Sequence, residues 1–438
     1  MNKPKLLAWC DFIKPSGFGI VAMNLLNDMH NYYDVSVVGI NYLGIEKYDL
    51  TKYFVYPISE KDRLGKNIIV DVAKKEQPDI IFLFQDIFNI NEIIENIKAV
   101  SPNSKIVIYF PIDGKPFCTR WMKTLKIADI IITYTDWAIS VIKDAIPNID
   151  KPIYKLYHGV DTEIFKPLSQ KEIIKLRRAL NWNKKFTIIN VNRYQPRKGI
   201  ALTMRAYSMF AKGYSYCTKC GNYQPIHIKR CDLNNCDENY LEKHPDNKRD
   251  IYLYSHMMIS EQSMGSGYTN SLIYNSVSNG FNTNDYNSII GFNGKRIYDG
   301  EVTHEELNKL YNGANINISA SVGEGFGLSL IESQATGTKS IAPNNSAIPE
   351  VLNNTGYLLQ NKAIWFPQFD NNFARPIIDA FTLTEKLNEL YYKWKKTDRE
   401  IKTIDQKCID NVNKNFLWKD KKEFLINIFN SVLNNAVN

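Results

Sequence analysis

Short apolar runs alternate with helical segments along most of this chain. In the first 150 residues the apolar runs are as long as strands and almost uninterrupted by polar residues, as in VSVVGI, DIIFLF, KIVIYF and ADIIITY. Strands of this kind are buried on both faces, which occurs in parallel sheets whose connections are helices. The same rhythm restarts with FTIINVN, IYLYSH, NINISAS and KSIAP. The pattern therefore predicts an α/β protein built from two similar domains with a cleft between them.

The length of the chain, 438 residues, and its hydrophobic content of 44% suit two domains with full cores. We expect a first domain at residues 1–155, a linker with one helix at 156–185, a second domain at 186–400 and amphipathic helices at 401–438. Residues 213–250 are polar and cysteine-rich, and we expect them to be an insertion in the second domain. Residues 261–296 are also polar and are expected to form a surface excursion.

The net charge of +8 comes from lysines spread over the whole chain. Such an excess suits nucleotides, nucleic acid or membrane surfaces, and is equally typical of a solvated surface. No segment approaches the ~20 apolar residues that cross a bilayer, and the apolar stretch at the N-terminus is too short for a signal peptide. The seven cysteines do not make an even disulfide set. We therefore expect a soluble, cytoplasmic protein.

Two glutamates, Glu324 and Glu332, lie eight positions apart in SVGEGFGLSLIESQATG. Gly325 and Gly327 permit a tight turn after a strand, and a helix is expected from Leu328 onwards. Its free N–H groups would point into the cleft, where open α/β sheets bind ligands and helix N-termini attract anions. The layout suits a nucleotide-sugar, although a solvated turn residue and a helix-surface charge would give the same spacing.

Two cations, Arg193 and Lys198, follow the apolar strand FTIIN and precede a helix. They are expected at a second carboxyl-end turn on the same side of the sheet. An arginine fork and a lysine point charge there would stabilise the negative charge that develops on a leaving diphosphate. The alternative is a basic surface loop.

Five elements of the chain, in order, resemble those of the retaining GT-B glycosyltransferases of the large GT4 family, which is glycogen-synthase-like and has an E-x7-E motif. They are YHGVDTEIFKP, VNRYQPRKGI, YDGEVTHEELNKLYNGANINISAS, EGFGLSLIESQATGTKSIAPNNSAIPEVL and NFLWKDKKEFL. The resemblance implies a GT-B fold with two Rossmann-like domains that face a central cleft, and a C-terminal helix that crosses back to the first domain. It also implies transfer of a hexose from a nucleotide-sugar, with a UDP-sugar favoured over a GDP-sugar.

The resemblance assigns a role to each matching residue. Glu324 would hold hydroxyls of the donor sugar, Glu332 would hold the ribose hydroxyls, and Arg193 and Lys198 would neutralise the diphosphate. The phosphate cradle would be completed by backbone groups at Phe326, Gly327, Leu328, Gly17 and Gly19. The sequence has no Asp-x-Asp, the metal-chelating motif of the other main glycosyltransferase fold, so we expect catalysis without a divalent ion.

On the acceptor side, Asp113 ends the strand IYFPID. It could orient the acceptor hydroxyl or act as a weak base, and it could equally be an ordinary Asp-Gly turn. His158, in the linker, could reach the cleft or be structural. The segments PSGFGIVAMNL and YFPIDGKPF resemble members of the family in phages and large DNA viruses. The acceptor is therefore expected to be a glycan or a hydroxymethylated DNA base.

The cysteines of the insertion have the spacing C-x2-C and then C-x4-C, at Cys217, Cys220, Cys231 and Cys236. Four thiolates with these spacings can close a tetrahedral structural zinc site, and a short polar insertion needs such a staple. His227 and His244 are possible substitutes, and free thiols are the alternative. Two other functions stay open: a nucleotide-sugar-binding protein without transfer, and a nucleic-acid-binding protein that uses a zinc knuckle.

Overall fold

The structure, a computed structural model, describes residues 3–12, 16–44, 53–257, 260–262, 269–293, 302–367 and 373–434. Parts of two predicted features, the surface excursion at 261–296 and the segment that begins at Tyr298, lie outside the described residues. So do the last four residues of the tail. None of the described helices is both long and apolar enough to span a membrane.

The first domain is a parallel sheet covered by helices on both faces. Its elements are β1 (Lys5–Cys10), α1 (Gly17–Leu26), β2 (Asp34–Gly39), β3 (Phe54–Tyr56), α2 (Lys66–Glu76), β4 (Ile80–Phe84), α3 (Ile87–Val100), β5 (Lys105–Phe110), α4 (Met122–Ile127), β6 (Ile130–Thr133), α5 (Asp136–Ala145) and β7 (Ile153–Lys155). The strand order is β3-β2-β1-β4-β5-β6-β7, and every pair is parallel. The strands β4 and β6 are fully buried, as their continuous apolar sequences predict.

The second domain repeats this architecture with six parallel strands. The chain from the linker to the insertion forms α6 (Gln170–Ala179), β8 (Phe186–Val191), α7 (Ile200–Lys212), β9 (Gly213–Cys217), β10 (Tyr223–Pro225) and β11 (Leu241–Pro245). It continues with β12 (Ile251–His256), β13 (Ser260–Gln262), β14 (Thr269–Ser271), α8 (Leu272–Ser278), β15 (Ile290–Asn293), α9 (His304–Gly313), β16 (Ile316–Ile318), α10 (Leu328–Ala335), β17 (Ser340–Pro343), α11 (Ile348–Leu352) and β18 (Tyr357–Leu359). The strand order is β15-β12-β8-β16-β17-β18.

The rest of the chain completes the second domain and then returns to the first. It forms the hairpin β19 (Ala363–Trp365) and β20 (Arg375–Ile377), followed by α12 (Ala380–Lys395), α13 (Gln406–Asn415) and α14 (Trp418–Asn434). Tyr33, in the first domain, donates a hydrogen bond of 2.8 Å to Asn430 on α14, and its ring packs edge-on against Phe429. The predicted α/β class with two parallel-sheet domains is confirmed.

Residues 213–250 follow α7 and precede β12. They form a small antiparallel sheet of their own, in the order β10-β9-β11. Tyr223 of this sheet stacks on Phe381 of α12, with ring centroids 3.6 Å apart, and Asp232 pairs with Arg205 of α7 at 2.7 Å. The insertion therefore lies against the back of α7, the helix that follows the Lys198 turn.

Candidate active site

A cleft of about 600 Å³ lies between the two parallel sheets, at the carboxyl ends of their strands. The first domain contributes residues that follow β4 and β5, together with the start of α1. The second contributes the turns after β8, β12 and β16. Cleft-lining side chains include Asp86, Asp113, Arg193, Lys198, Glu324 and Glu332. Five of these six were predicted from the sequence, and Asp86 was not.

The turn between β16 and α10 contains two glycines, Gly325 and Gly327, that are required for different reasons. Gly327 has a φ of +99°, a left-handed conformation that favours glycine, and it precedes the first residue of α10. Gly325 has no positive φ, but a Cβ there would lie 2.7 Å from the Cβ of Pro111 in the first domain. The first glycine of the motif therefore allows the two domains to touch, and the second allows the helix to begin.

Glu324 is the centre of a buried ion-pair network. Lys198 Nζ donates to Glu324 Oε1 at 2.5 Å, and Arg197 Nη1 lies 3.8 Å from Oε2. The Glu324 N–H donates to Ser346 Oγ at 2.9 Å. Burial alone would raise the pKa of Glu324, but the charges of Lys198 and Arg197 outweigh it and hold that pKa below the usual range.

Arg197 also connects the network to the first domain. It donates to the Gly323 carbonyl at 2.9 Å and lies 3.8 Å from the Asp113 carboxylate. Arg375 of β20, almost fully buried, donates to the backbone and carboxylate oxygens of Asp113, with 3.2 Å to Oδ1. Sequence reasoning missed both arginines. Arg197 is adjacent to the predicted Lys198, but nothing in the local sequence marks Arg375.

Asp113 is therefore paired across the domain interface. It contacts Arg375 and Arg197 and lines the cleft, and its role in orienting the acceptor or accepting a proton stays a prediction. Arg193 lines the same cleft and is exposed to it.

Glu332 lies one turn along α10 from the helix start. The Tyr311 hydroxyl donates to Glu332 Oε2 at 3.0 Å. Burial raises the pKa of Glu332 to about 7, against the opposing effect of this hydrogen bond. The first N–H groups of α10, which include that of Leu328, have no side-chain cap. The arrangement leaves an uncapped, anion-attracting helix end in the cleft near both carboxylates. Donor binding by Glu324, Glu332 and the backbone of Phe326, Gly327 and Leu328 stays a prediction.

The glycine loop of the first domain differs from the expectation at one position. Gly17 lines the cleft, and nothing lies within 4 Å of a Cβ built on it, so its backbone is open to a ligand. Gly19 is buried, does not line the cleft, and donates its N–H to Ser16 Oγ at 2.8 Å as part of the α1 cap. Gly19 is therefore not available to a phosphate, because its only N–H is already bonded.

Asp86 is the residue that the sequence analysis overlooked. It follows β4 by two positions and stands at the N-cap of α3, yet its carboxylate does not cap that helix. Burial, followed by the negative charges of Asp113 and Asp11, raises its pKa to about 7, with Arg197 acting in the opposite direction. The strand-end rule that selected Asp113 would also have selected Asp86, since both follow buried strands.

His158 also lines the cleft, packed 4.1 Å from the ring of Tyr134 and 4.7 Å from that of Phe326. Neither ring nitrogen has a hydrogen-bond partner among the described residues. Burial lowers the pKa of this imidazole to about 3, so it is neutral at physiological pH.

The four cysteines of the insertion lie together, away from the cleft. Their Sγ atoms all lie within 4.8 Å of one another, and three of the four residues are buried. Zinc–sulfur bonds of about 2.3 Å place the ligands of a tetrahedral site about 3.8 Å apart, so the set fits zinc with small adjustments. His227 bonds to the Ser278 carbonyl, and His244 stacks on Tyr214, so neither histidine is needed in the ligand set.

Comparison with known proteins bears on the class of enzyme. Residues 282–377 match the family model described as "Glycosyl transferases group 1". A search of curated proteins gave no match.

Solved structures with a similar fold cover nearly the whole chain. They include a glycosyltransferase from Rickettsia africae (16% identity, 99% of both chains, TM-score 0.63) and sucrose-phosphate synthase from Thermosynechococcus elongatus (14% identity, 98% of this chain and 99% of that one, TM-score 0.66). HepE of Anabaena in complex with UDP-glucose is similar at 13% identity (98% of this chain, 100% of that one, TM-score 0.62). At such identities the likeness establishes the fold. The chain therefore has a GT-B fold, and the match of residues 282–377 to the group 1 model indicates an enzyme of the glycosyltransferase class.

Proposed function

We propose that this enzyme transfers a hexose from a UDP-sugar to an acceptor hydroxyl with retention of configuration, as GT4 enzymes do. The proposal rests chiefly on one observation: Lys198, Arg197, Glu324 and the free N-terminus of α10 converge at one end of the cleft. Glu332 lies one helical turn along α10 from its start, where it can contact a second part of the same ligand.

The cations serve the leaving group. Cleavage of the bond between the sugar and the diphosphate leaves negative charge on the diphosphate. Lys198, Arg197 and Arg193 would lie beside that charge, together with the uncapped N–H groups of α10. Because the charge grows as the bond breaks, these groups stabilise the transition state more than the ground state. This arrangement supplies the electrostatic role that an Asp-x-Asp site assigns to a divalent ion.

The two carboxylates serve the hydroxyl groups at either end of the donor. An ionised carboxylate accepts hydrogen bonds from two hydroxyls at once. Glu332, next to the Tyr311 hydroxyl, would bind the ribose, and Glu324 would bind the sugar. The UDP-glucose complex of HepE supports UDP as the nucleotide.

Retention follows from attack on the face that the diphosphate leaves. The acceptor oxygen bonds to C1 while the bond from C1 to the phosphate oxygen breaks, and the electron pair leaves with the diphosphate. The acceptor proton passes to an oxygen of the departing diphosphate, so no protein nucleophile is required.

The test is a panel of UDP- and GDP-sugars, scored for sugar release and by thermal shift, since a true donor raises the melting temperature. Glu332→Gln should weaken donor binding at least tenfold, whereas Glu385→Gln, an exposed change on α12, should not. The anomeric configuration of the product, read by proton NMR, tests retention. Donor binding without any sugar release would favour a non-catalytic binding protein instead.

We also propose that the insertion is stapled by one structural zinc ion. Cys217, Cys220, Cys231 and Cys236 would hold it in a closed site, which leaves no position for a substrate. The bound ion would fix the sheet that packs on α7.

A further inference from the structure

The part of the cleft that must receive the acceptor has an unusual chemical character. In the part of the chain that the structure describes, the lysine and arginine side chains that line the cleft all come from the second domain: Arg193, Arg197, Lys198 and Arg375. Among the described residues, the first domain contributes no lysine or arginine to the lining. It contributes carboxylates and rings.

The rings form an apolar surface beside the strand ends. Phe88 on α3 is 40% exposed although it lines the cleft, and Phe18 on α1 is half-buried. Trp121 and Phe117 lie deeper in the same wall, with ring centroids 5.4 Å apart. Flat rings of this kind suit the C–H faces of a sugar ring, which present apolar area with hydroxyls at the edges.

The carboxylates are not equivalent. Asp113 is occupied by Arg375 and Arg197, as described above. Asp86 receives no hydrogen bond to its carboxylate from any residue in the described part of the chain, although it stands at the N-terminus of a helix. A carboxylate that is mostly enclosed and has no donor needs one from a ligand.

We propose that the acceptor is an uncharged carbohydrate whose ring lies against Phe88 and Phe18 and whose hydroxyl groups donate hydrogen bonds to Asp86. This inference rests on the proposed transfer reaction and specifies its second substrate. Asp86 is then an acceptor-binding residue that holds hydroxyl groups next to the attacking one, whose own proton passes to the diphosphate as described above.

The same wall disfavours the alternative acceptors. The phosphates of DNA, or of a sugar phosphate, would meet the Asp86 carboxylate. Arg375 and Arg197, which reach this wall from the second domain, are already paired with Asp113. A nucleic-acid acceptor binds chiefly through lysine and arginine contacts to phosphate, and the described first-domain wall offers none.

The experiment measures UDP release above the rate of donor hydrolysis, with the donor that the first panel identifies. The acceptors are alkyl glucosides and neutral oligosaccharides, glucose 6-phosphate, and hydroxymethylated DNA. Transfer should occur to the uncharged sugars, and should be at least tenfold slower to the two phosphorylated classes. Faster transfer to DNA or to the sugar phosphate overturns the inference, as does donor hydrolysis without transfer to any uncharged sugar.

Two variants test the residues. Asp86→Asn and Phe88→Ala should each raise the acceptor KM at least tenfold, while the dissociation constant for the UDP-sugar stays within twofold. That unchanged donor affinity also shows that the variants are folded. Asp144→Asn, an exposed change on α5, is the matched control and should leave both constants as they are. An unchanged acceptor KM in Asp86→Asn overturns the assignment. Absence of both donor binding and hydrolysis in the wild type would instead contradict the proposed reaction itself.

Discussion

Replacing Lys198 by methionine should affect stability and transfer by two separable routes. The side chains of Lys198 and Glu324 are only 13% and 9% exposed, and their charged atoms lie 2.5 Å apart. Methionine removes this cation and leaves Glu324 with Arg197, 3.8 Å away. Breaking a buried pair costs roughly 3–5 kcal/mol, and we expect about 3 kcal/mol because Arg197 remains. For a domain of this size that is a fall in melting temperature of about 6–12 °C.

The double variant K198M/E324Q separates the two routes. It removes both charges and keeps side chains of similar volume, and such neutral replacements of a buried pair are often close to neutral. We expect its free energy of unfolding to lie within about 1 kcal/mol of the wild type. Transfer should nevertheless stay roughly 10²–10³-fold slower in kcat for both variants, because the cation beside the leaving diphosphate is missing.

The pH dependence of the stability of Lys198→Met provides a second test of the Lys198–Glu324 ion pair. Without Lys198, burial dominates and the pKa of Glu324 should rise above its value in the unfolded chain. A carboxyl whose folded pKa is raised loses stability as the pH rises through that interval, so the deficit of Lys198→Met should be larger at pH 8 than at pH 5. Urea unfolding followed by tryptophan fluorescence measures it, with Lys396→Met, exposed at the end of α12, as the control. Equal stability of Lys198→Met and wild type at pH 8 would refute this account.

Three further results are expected. Donor binding should favour the ionised form of Glu332, whose pKa burial raises to about 7. The affinity for a UDP-sugar, measured by calorimetry, should therefore rise from pH 5.5 and level off above pH 7. Glu332→Gln should remove this pH dependence. His158 has a folded pKa of about 3, so it must stay neutral at a growing cost as the pH falls below ~6.5. As the pH falls from 7.5 to 5.0, the free energy of unfolding of His158→Phe in urea should therefore rise by about 2 kcal/mol relative to that of the wild type. Only this difference between the two proteins is diagnostic, because the raised pKa values of Asp86 and Glu332 change the stability of both proteins in the opposite direction. Elemental analysis should find about one zinc ion per chain. Cys217→Ser should lower the zinc content and speed amide hydrogen exchange in residues 213–250, whereas Cys118→Ser should change neither. A wild-type protein without metal and with full protection of these amides would contradict the zinc proposal.

The sequence predicted the layered fold because a strand that is buried on both faces is a continuous apolar run, which can be recognised locally. The strands β4, β5 and β8 are almost fully buried. β4 is an uninterrupted apolar run, β5 is apolar after Lys105, and β8 is interrupted only by Thr187 and Asn190. The small sheet of the insertion has a weaker sequence pattern. In β9 buried positions alternate with half-buried tyrosines, but the strand has only five residues, which is too short to distinguish from a loop.

The residues of the donor side could be predicted for a similar reason. Glu324 and Lys198 follow buried strands, Glu332 lies one turn into the helix that follows one of them, and the carboxyl ends of parallel strands meet at one edge of a sheet. Their environment could not be predicted. Glu324, for example, is paired with Arg197 as well as with the predicted Lys198.

The acceptor side shows most clearly where local reasoning ends. Asp86 and Asp113 follow neighbouring parallel strands by two or three residues, so no local pattern distinguishes them. What distinguishes them is Arg375, which is 262 positions from Asp113 in the chain and reaches it only because the second domain folds back over the cleft. That contact, together with Arg197, neutralises one carboxylate and leaves the other for a ligand. The residue assigned to the acceptor therefore depends on the packing of the two domains. Arg375→Ala should release Asp113 and let it bind acceptor hydroxyl groups in place of Asp86. In an Asp86→Asn background, Arg375→Ala should therefore partly restore the acceptor KM.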